Sequence, residues 1–156
     1  LRLEAQIDGG GHENGMRSGT LPTHQIVGMG EAFALAASLQ ETEAARIGVL
    51  RDRLWLGLKD LPGVVLNGSA TERVPHNLNV SFDLSGEVSV AGQLLDIAVS
   101  AGSACNSANA APSYVLTALG RSAALARSAI RFSLGRYTTE AEIDYTVATL
   151  RKLLLN

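Results

Sequence analysis

Residues 130–155, IRFSLGRYTTEAEIDYTVATLRKLLL, place a short apolar strand directly before a long helical pattern. Arg131 lies between apolar Ile130 and Phe132, which predicts a strand over 130–134, and the apolar spacing that follows predicts a helix over 139–155. Thr138 or Thr139 with Glu142 matches the capping box that begins such a helix. A strand that leads into a helix of this kind favours an α/β class of fold, with a sheet covered by helices.

The longest helical pattern covers residues 21–61, and the Pro62-Gly63 pair ends it. Its apolar residues recur at intervals of three and four, which predicts one buried stripe with Trp55 packed beside it. At roughly 40 residues the helix is long for a globular protein, so we expect a break or a kink. The stripe consists of Ile26, Gly30, Phe33 and Ala37, and then Ile47, Leu50, Leu54, Leu58 and Leu61.

Shorter elements alternate between the two long helices. The sequence predicts strands at 64–66, 78–82 and 97–99, and helices at 87–95 and 112–119, then a turn at Gly120 and a short helical stretch.

The composition is that of a globular protein rather than a disordered one, since 46% of the 156 residues are hydrophobic and 18% are charged. A net charge of −2 and an apolar stretch broken by Gly92, Asp96 and Pro112 argue against a nucleic-acid or membrane partner. A single cysteine excludes an internal disulfide and suits a reducing cytoplasm. The chain starts at Leu1 without a methionine, so we expect a fragment of a longer protein.

The first twenty residues contain five glycines and end in Ser18-Gly19-Thr20, just ahead of the long helix. Hydroxyl groups and backbone N–H groups at this position suit a bound phosphate. Capping of the helix by Ser18 or Thr20 is the plainer alternative. The three histidines are scattered without the spacing of a zinc site.

Cys105 lies in a run of small residues, SAGSACNSANAAP, between a predicted strand and a predicted helix. Few large side chains are available to bury it, which suits a reactive thiol on a mobile loop, although a structural cysteine is the alternative. Arg131 also has two interpretations. Its guanidinium either pairs with an acidic side chain or binds a substrate carboxylate in a bidentate way.

Three segments together resemble the cysteine desulfurases of the iron–sulfur cluster type, in the same order and with similar spacing. These are GGGHENGMRSGT (9–20), SAGSAC followed by PSYVL (100–105 and 112–116), and IRFSLGRYTTEAEID (130–144). The resemblance implies a pyridoxal-phosphate-dependent homodimer of the aspartate-aminotransferase type, which converts L-cysteine into L-alanine and a persulfide. It further implies that an iron–sulfur scaffold protein or another acceptor takes the sulfur in the cytoplasm.

Carried over residue by residue, the resemblance implies that Cys105 bears the persulfide and that Arg131 binds the substrate α-carboxylate. Thr20 matches the residue that reaches the phosphate of the partner subunit's cofactor. Residues 1–20 would end the large cofactor-binding domain, and residues 21–156 would form most of the small C-terminal domain with its catalytic cysteine loop.

The match also has departures. The family's Schiff-base lysine motif is absent here, so we expect this chain alone to be inactive, and Asn14 stands where the family has arginine. The alternatives are a selenocysteine lyase, another aminotransferase-fold lyase, or an interaction domain without catalysis.

Overall fold

The computed structural model describes residues 3–84, 89–101 and 112–155. The chain forms two compact units, Leu1–Gln40 and Glu41–Asn156, and the strands all lie in the second. Helices combine there with one antiparallel sheet, which confirms the predicted α/β class. The predicted division of the longer protein after residue 20 stays a prediction.

Helix α1 runs from Thr23 to Leu58 without interruption, so the predicted break is wrong. The helix contains no proline, and therefore no backbone donor is missing from its interior. Its glycines weaken it by roughly 1 kcal/mol each relative to alanine, but they keep every backbone hydrogen bond.

The buried stripe of α1 is confirmed only in its second part. Ile26 is 44% exposed and Phe33 is 71% exposed. Besides α1, the described part of the unit Leu1–Gln40 has only the three-residue 3₁₀ turn Glu13–Gly15, none of whose residues is buried. Trp55 packs against the core, as predicted. The buried members of the stripe are Ile47, Leu50, Leu54, Leu58 and Leu61.

The sheet has the strand order β1-β2-β4-β3, and each neighbouring pair is antiparallel. Its strands are β1 (Val64–Leu66), β2 (Asn77–Phe82), β3 (Ser100–Ala101) and β4 (Ile130–Ser133). Strand β3 begins after the predicted stretch 97–99, because Ser100 and Ala101 are the residues in register with β4. Ile97 and Val99 instead contribute half-buried side chains to the core.

The two faces of the sheet differ in chemistry, as the alternation along β2 shows. Leu78, Val80 and Phe82 are buried in the main core with α1 and with helix α5 (Glu140–Leu155). Asn79 and Ser81 therefore lie on the opposite face, since successive side chains of a strand alternate between faces. This second face is polar in the middle of the sheet.

The short helices are α2 (Val90–Gln93), α3 (Tyr114–Ala118) and α4 (Ala123–Arg127). Helix α2 is shorter than the predicted helix 87–95, whose first residues are outside the described ranges. Ser89 caps it by accepting a hydrogen bond from the N–H of Gly92 at 3.2 Å. It ends at Gln93, because Leu94 leaves the helical conformation and is buried in the core.

Helix α5 begins with the predicted capping box, and Thr139 rather than Thr138 is its first member. The N–H of Thr139 donates to Glu142 Oε2 at 2.8 Å, and the N–H of Glu142 donates to Thr139 Oγ1 at 3.3 Å. The backbone N–H and then the hydroxyl of Thr139 hold the pKa of Glu142 below its usual value. This cap fixes where the helix leaves the sheet.

Candidate functional site

A row of polar residues crosses the second face of the sheet in register. Asn79 on β2 lies opposite Arg131 on β4, and Arg131 lies opposite Ser100 on β3. Asn67, directly after β1, extends the row because its N–H donates to the carbonyl of Asn79 at 3.0 Å. Paired side chains on one face are roughly 5 Å apart at Cβ, so these four residues form one continuous polar strip.

Arg131 is half-buried in this strip and has no acidic partner among the residues that the structure describes. One of its terminal nitrogens donates to Ser100 Oγ at 3.2 Å, while its Nε is buried without a hydrogen-bond partner. No salt bridge in the described part of the chain includes Arg131. A guanidinium only donates and stays charged at neutral pH, so the buried Nε calls for an acceptor that the described residues do not supply. The interpretation as an ion pair with an acidic side chain is therefore not supported.

Arg131 opens into a cavity of about 290 Å³. Its other lining residues are Asn67, Gly68, Asn79, Ser113, Val115, Leu116, Leu119 and Ala129. The described lining residues combine amide and hydroxyl groups with apolar side chains, and none of them carries a carboxylate. A small anion with a short apolar or polar side chain matches this chemistry.

Asn67 ties the strip to the loop before α4. Its Nδ2 donates to Asn79 Oδ1 at 2.7 Å and to Ser81 Oγ at 2.8 Å, and its Oδ1 accepts from Arg121 Nε at 2.8 Å. No motif in the sequence marked this group in advance. The alternation of Asn77, Asn79 and Ser81 with apolar residues was the signal that could have revealed a polar face.

The glycine-rich segment belongs to the unit Leu1–Gln40. Its 3₁₀ turn covers Glu13–Gly15, and Ser18 is buried at its base. Ser18 Oγ accepts from the N–H of Gly11 at 3.2 Å, and the N–H of Ser18 donates to the carbonyl of Ile7 at 3.0 Å. Ser18 thus closes the loop on itself, and α1 begins five residues later at Thr23.

Thr20 is exposed at the end of this loop, where its hydroxyl is accessible to a ligand. Asn14 has a φ of 56°, in the left-handed region that asparagine enters more readily than most other residues. The residue that departs from the family pattern therefore suits the conformation it adopts.

Cys105 lies outside the described residues, in the range 102–111. The flanking segments that the structure does describe both touch the Arg131 site. Ser100 accepts a hydrogen bond from Arg131, and Ser113 lines the cavity.

The two lysines do not line the Arg131 cavity. Lys59 follows α1, and Lys152 is near the end of α5. Within 3–84, 89–101 and 112–155 there is no cluster of three or more potential metal ligands. Among the helices described, none combines the length and hydrophobicity that a membrane span requires.

With this geometry in place, comparison with known proteins identifies the class. The chain belongs to the aminotransferase class-V family, whose profile matches residues 6–146. At a finer level, it is 60% identical to the cysteine desulfurase IscS of Serratia proteamaculans (strain 568) over 97% of this chain and 38% of that protein. The chain therefore spans well under half the length of this relative.

The chain is also similar to solved structures. The NifS-like protein from Rickettsia africae ESF-5 superposes with a TM-score of 0.80 at 26% identity, over 98% of this chain and 40% of that one. A structure described as SspA in complex with cysteine has a TM-score of 0.58 at 35% identity, over 88% of this chain and 37% of that one.

Proposed function

We propose that this chain is part of a pyridoxal-phosphate-dependent cysteine desulfurase, which converts L-cysteine into L-alanine and leaves a persulfide on Cys105. The similarity to IscS supports the reaction, and the cysteine bound to the SspA relative supports the substrate. Because the chain spans 38% of that IscS, the activity belongs to a longer protein that contains it, which we call the full-length protein.

The observation that carries the proposal is the buried, unpartnered Nε of Arg131. A substrate α-carboxylate supplies the missing acceptor and matches the planar guanidinium in a bidentate way. The described residues that line the cavity carry no competing negative charge, which favours a carboxylate as the missing acceptor. Arg131 thus orients the substrate from one end and leaves its thiol end free.

The residues of this chain supply only part of a cofactor-binding site. The exposed hydroxyl of Thr20 follows a loop in which nothing lies within 4 Å of a Cβ built on Gly11 or Gly15, so the loop leaves open space for a phosphate. In the proposal Thr20 contacts the cofactor phosphate of the partner subunit in a homodimer. The lysine that binds the cofactor covalently comes from the rest of the full-length protein. When bound, the cofactor supplies the electron sink that makes bonds at the substrate Cα and Cβ labile.

Cys105 supplies the nucleophile in this proposal. Its thiolate attacks the substrate sulfur, an S–S bond forms, and the substrate Cβ–S bond breaks. The electron pair of the broken bond stays with the carbon, which gains a proton to give L-alanine, so no external oxidant is needed.

We further propose that the persulfide passes to an acceptor protein of iron–sulfur cluster assembly in the cytoplasm. A selenocysteine lyase that does not use Cys105 is the competing enzyme class, and a partner-binding domain without catalysis is the competing class outside enzymes. The Arg131 cavity would serve a selenocysteine lyase equally, since both substrates carry an α-carboxylate, so the 60% identity to IscS is what favours the desulfurase. For a partner-binding domain, the described residues offer no specific feature, whereas the unpartnered Nε of Arg131 has a direct use in an enzyme that binds an amino acid.

The test compares the full-length protein with its Cys105→Ala variant, both loaded with cofactor. We expect the variant to bind L-cysteine with unchanged affinity, since Arg131 is intact, but to form no alanine and no protein-bound persulfide. Alanine is measured by chromatography and the persulfide by intact mass.

Thermal unfolding of both proteins is the control. Wild-type levels of persulfide in the variant would contradict the assignment of Cys105. A much lower melting temperature with residual turnover would identify a structural cysteine.

A further inference from the structure

Arg121 sets the direction of a chain of hydrogen bonds across the polar strip. Its guanidinium only donates, and its Nε donates to Asn67 Oδ1 at 2.8 Å. A terminal nitrogen of Arg121 also donates to the carbonyl of Leu66, which holds the guanidinium in place. The amide oxygen of Asn67 must therefore face Arg121, and its amide nitrogen faces the other way.

Asn67 transmits this direction to Asn79. Its Nδ2 uses both hydrogens, one to Asn79 Oδ1 at 2.7 Å and one to Ser81 Oγ at 2.8 Å. Asn79 consequently presents its oxygen to Asn67 and turns its own Nδ2 away from it. That Nδ2 has no hydrogen-bond partner within the described part of the chain.

Asn79 and Arg131 are direct neighbours in register, and both line the same cavity. The acceptors beside them are already engaged, since Asn79 Oδ1 accepts from Asn67 and Ser100 Oγ accepts from Arg131. The groups that remain, Arg131 Nε and Asn79 Nδ2, are both donors and cannot bond to each other. An acceptor with two oxygens side by side would satisfy both.

We propose that Asn79 Nδ2 is a second donor to the α-carboxylate held by Arg131, and that Arg121 and Asn67 are positioning residues that fix its orientation. The inference rests on the proposed function and adds a specificity-determining residue to the same site. Both carboxylate oxygens face the Arg131 guanidinium, and one of them also accepts from Asn79 Nδ2, since each oxygen has more than one lone pair. Arg121, which does not contact the ligand, thus keeps the Asn79 amide nitrogen directed toward the cavity.

The first experiment uses the Asn79→Asp variant of the full-length, cofactor-loaded protein. The aspartate still accepts from Asn67, so the strip keeps its hydrogen bond, but it replaces a donor with a negative charge beside Arg131. We expect KM for L-cysteine to rise by roughly 10- to 100-fold, while kcat stays within about threefold. Asn77→Asp is the matched control, because it places the same charge on the same face of β2 opposite Ser133 instead of Arg131.

A second variant, Asn67→Asp, tests the positioning role. Aspartate at 67 pairs with Arg121 and only accepts, so the Asn79 amide must turn its nitrogen toward residue 67 and its oxygen toward the ligand. KM should rise by roughly 10-fold, although Arg131 and Asn79 are both unchanged. A structural role alone would lower the melting temperature of this variant without changing KM.

Ligand binding separates the inference from the proposed function. Dissociation constants for L-alanine and for ethylamine, which lacks the carboxylate, are measured by titrating the cofactor absorbance. Asn79→Asp and Asn67→Asp should raise the dissociation constant of L-alanine by the same factor as they raise KM. They should leave the dissociation constant of ethylamine unchanged. Unchanged L-alanine binding in both folded variants would overturn the inference. If either aspartate variant fails to fold, Asn79→Ala replaces it. We then expect the affinity for L-alanine to fall by roughly fivefold or more.

Absence of turnover in the wild-type protein, together with the expected loss of L-alanine binding in the variants, would contradict the desulfurase and leave the carboxylate site standing. Normal turnover with unchanged binding in the variants would leave the desulfurase standing and remove Asn79 from the site.

Discussion

Arg131 lies between Asn79 and Ser100 in the register of the sheet, and its guanidinium ends among groups that carry no charge. Two other arginines of this unit pair with carboxylates instead. Arg53 bonds both oxygens of Asp144 at 2.7 and 2.8 Å, and this contact lowers the pKa of the carboxyl below its usual value. Arg136 pairs with Glu43. Arg131 has no such carboxylate within the described residues, which supports its proposed role toward a ligand.

Replacement of Arg131 by lysine tests this assignment at the residue scale. Lysine keeps the positive charge but loses the planar fork and cannot place a donor at the buried Nε position. In the full-length protein we expect Arg131→Lys to raise KM for L-cysteine by roughly 10-fold, and Arg131→Ala by roughly 10- to 150-fold, measured by alanine production.

The same substitutions at Arg127, which is exposed on α4, are the control and should leave KM unchanged. A wild-type KM in Arg131→Ala, with only a lower melting temperature, would show that Arg131 is structural.

The sequence predicted Arg131 to lie in a strand, but it did not decide between an ion pair with an acidic side chain and a contact with a substrate carboxylate. Strand register depends on which residues of β2 and β3 meet β4, and those residues are distant in the chain. The strip of Asn67 and Asn79 was missed for the same reason. Their separation along the chain conceals a contact that only the paired strands create.

At the scale of elements, α1 and α5 approach closely at Gly57. A Cβ built there would lie 2.6 and 2.7 Å from the two methyl carbons of Val147 and 3.2 Å from its Cβ. Valine is stiff at χ1, so rotation of its side chain does not relieve the overlap. The glycine is therefore required by packing, although glycine inside a helix costs roughly 1 kcal/mol.

Gly57→Ala should therefore lower the free energy of unfolding by about 1–2 kcal/mol, because the steric overlap exceeds the gain in helix propensity. Gly48→Ala in the same helix is the matched control, since its Cβ would make an ordinary contact with Pro75 at 3.9 Å. That variant should raise stability by up to about 1 kcal/mol. Denaturant unfolding of the full-length variants provides the measurement, and a stabilising Gly57→Ala would contradict the close packing of α1 against α5.

Periodicity predicted the elements better than their surroundings. The helix α1, strands β1, β2 and β4, and the Thr139–Glu142 box follow from spacing and capping chemistry, which are local. Burial is not local, so the exposed Ile26 and Phe33 were wrongly assigned to the core. The predicted range 97–99 for β3 was also wrong, because pairing with β4 places Ser100 and Ala101 in the strand.

At the scale of the whole molecule, the chain supplies one part of the proposed catalytic apparatus. Its described residues provide the proposed carboxylate site and an exposed threonine, while the proposal assigns the cofactor lysine to the rest of the full-length protein. Three sequence motifs were sufficient to predict the family, which the class-V match to residues 6–146 confirms. The roles of Cys105, Arg131 and Thr20 stay predictions.

The most direct measurement is a crystal structure of the full-length Cys105→Ala protein with cofactor and L-cysteine bound. Without the thiol the substrate should remain intact, and its α-carboxylate should lie within about 3 Å of Arg131 Nε and Asn79 Nδ2. A substrate carboxylate held by other residues, with Arg131 paired to an acidic side chain of the full-length protein, would contradict the assignment of this polar strip as the substrate site.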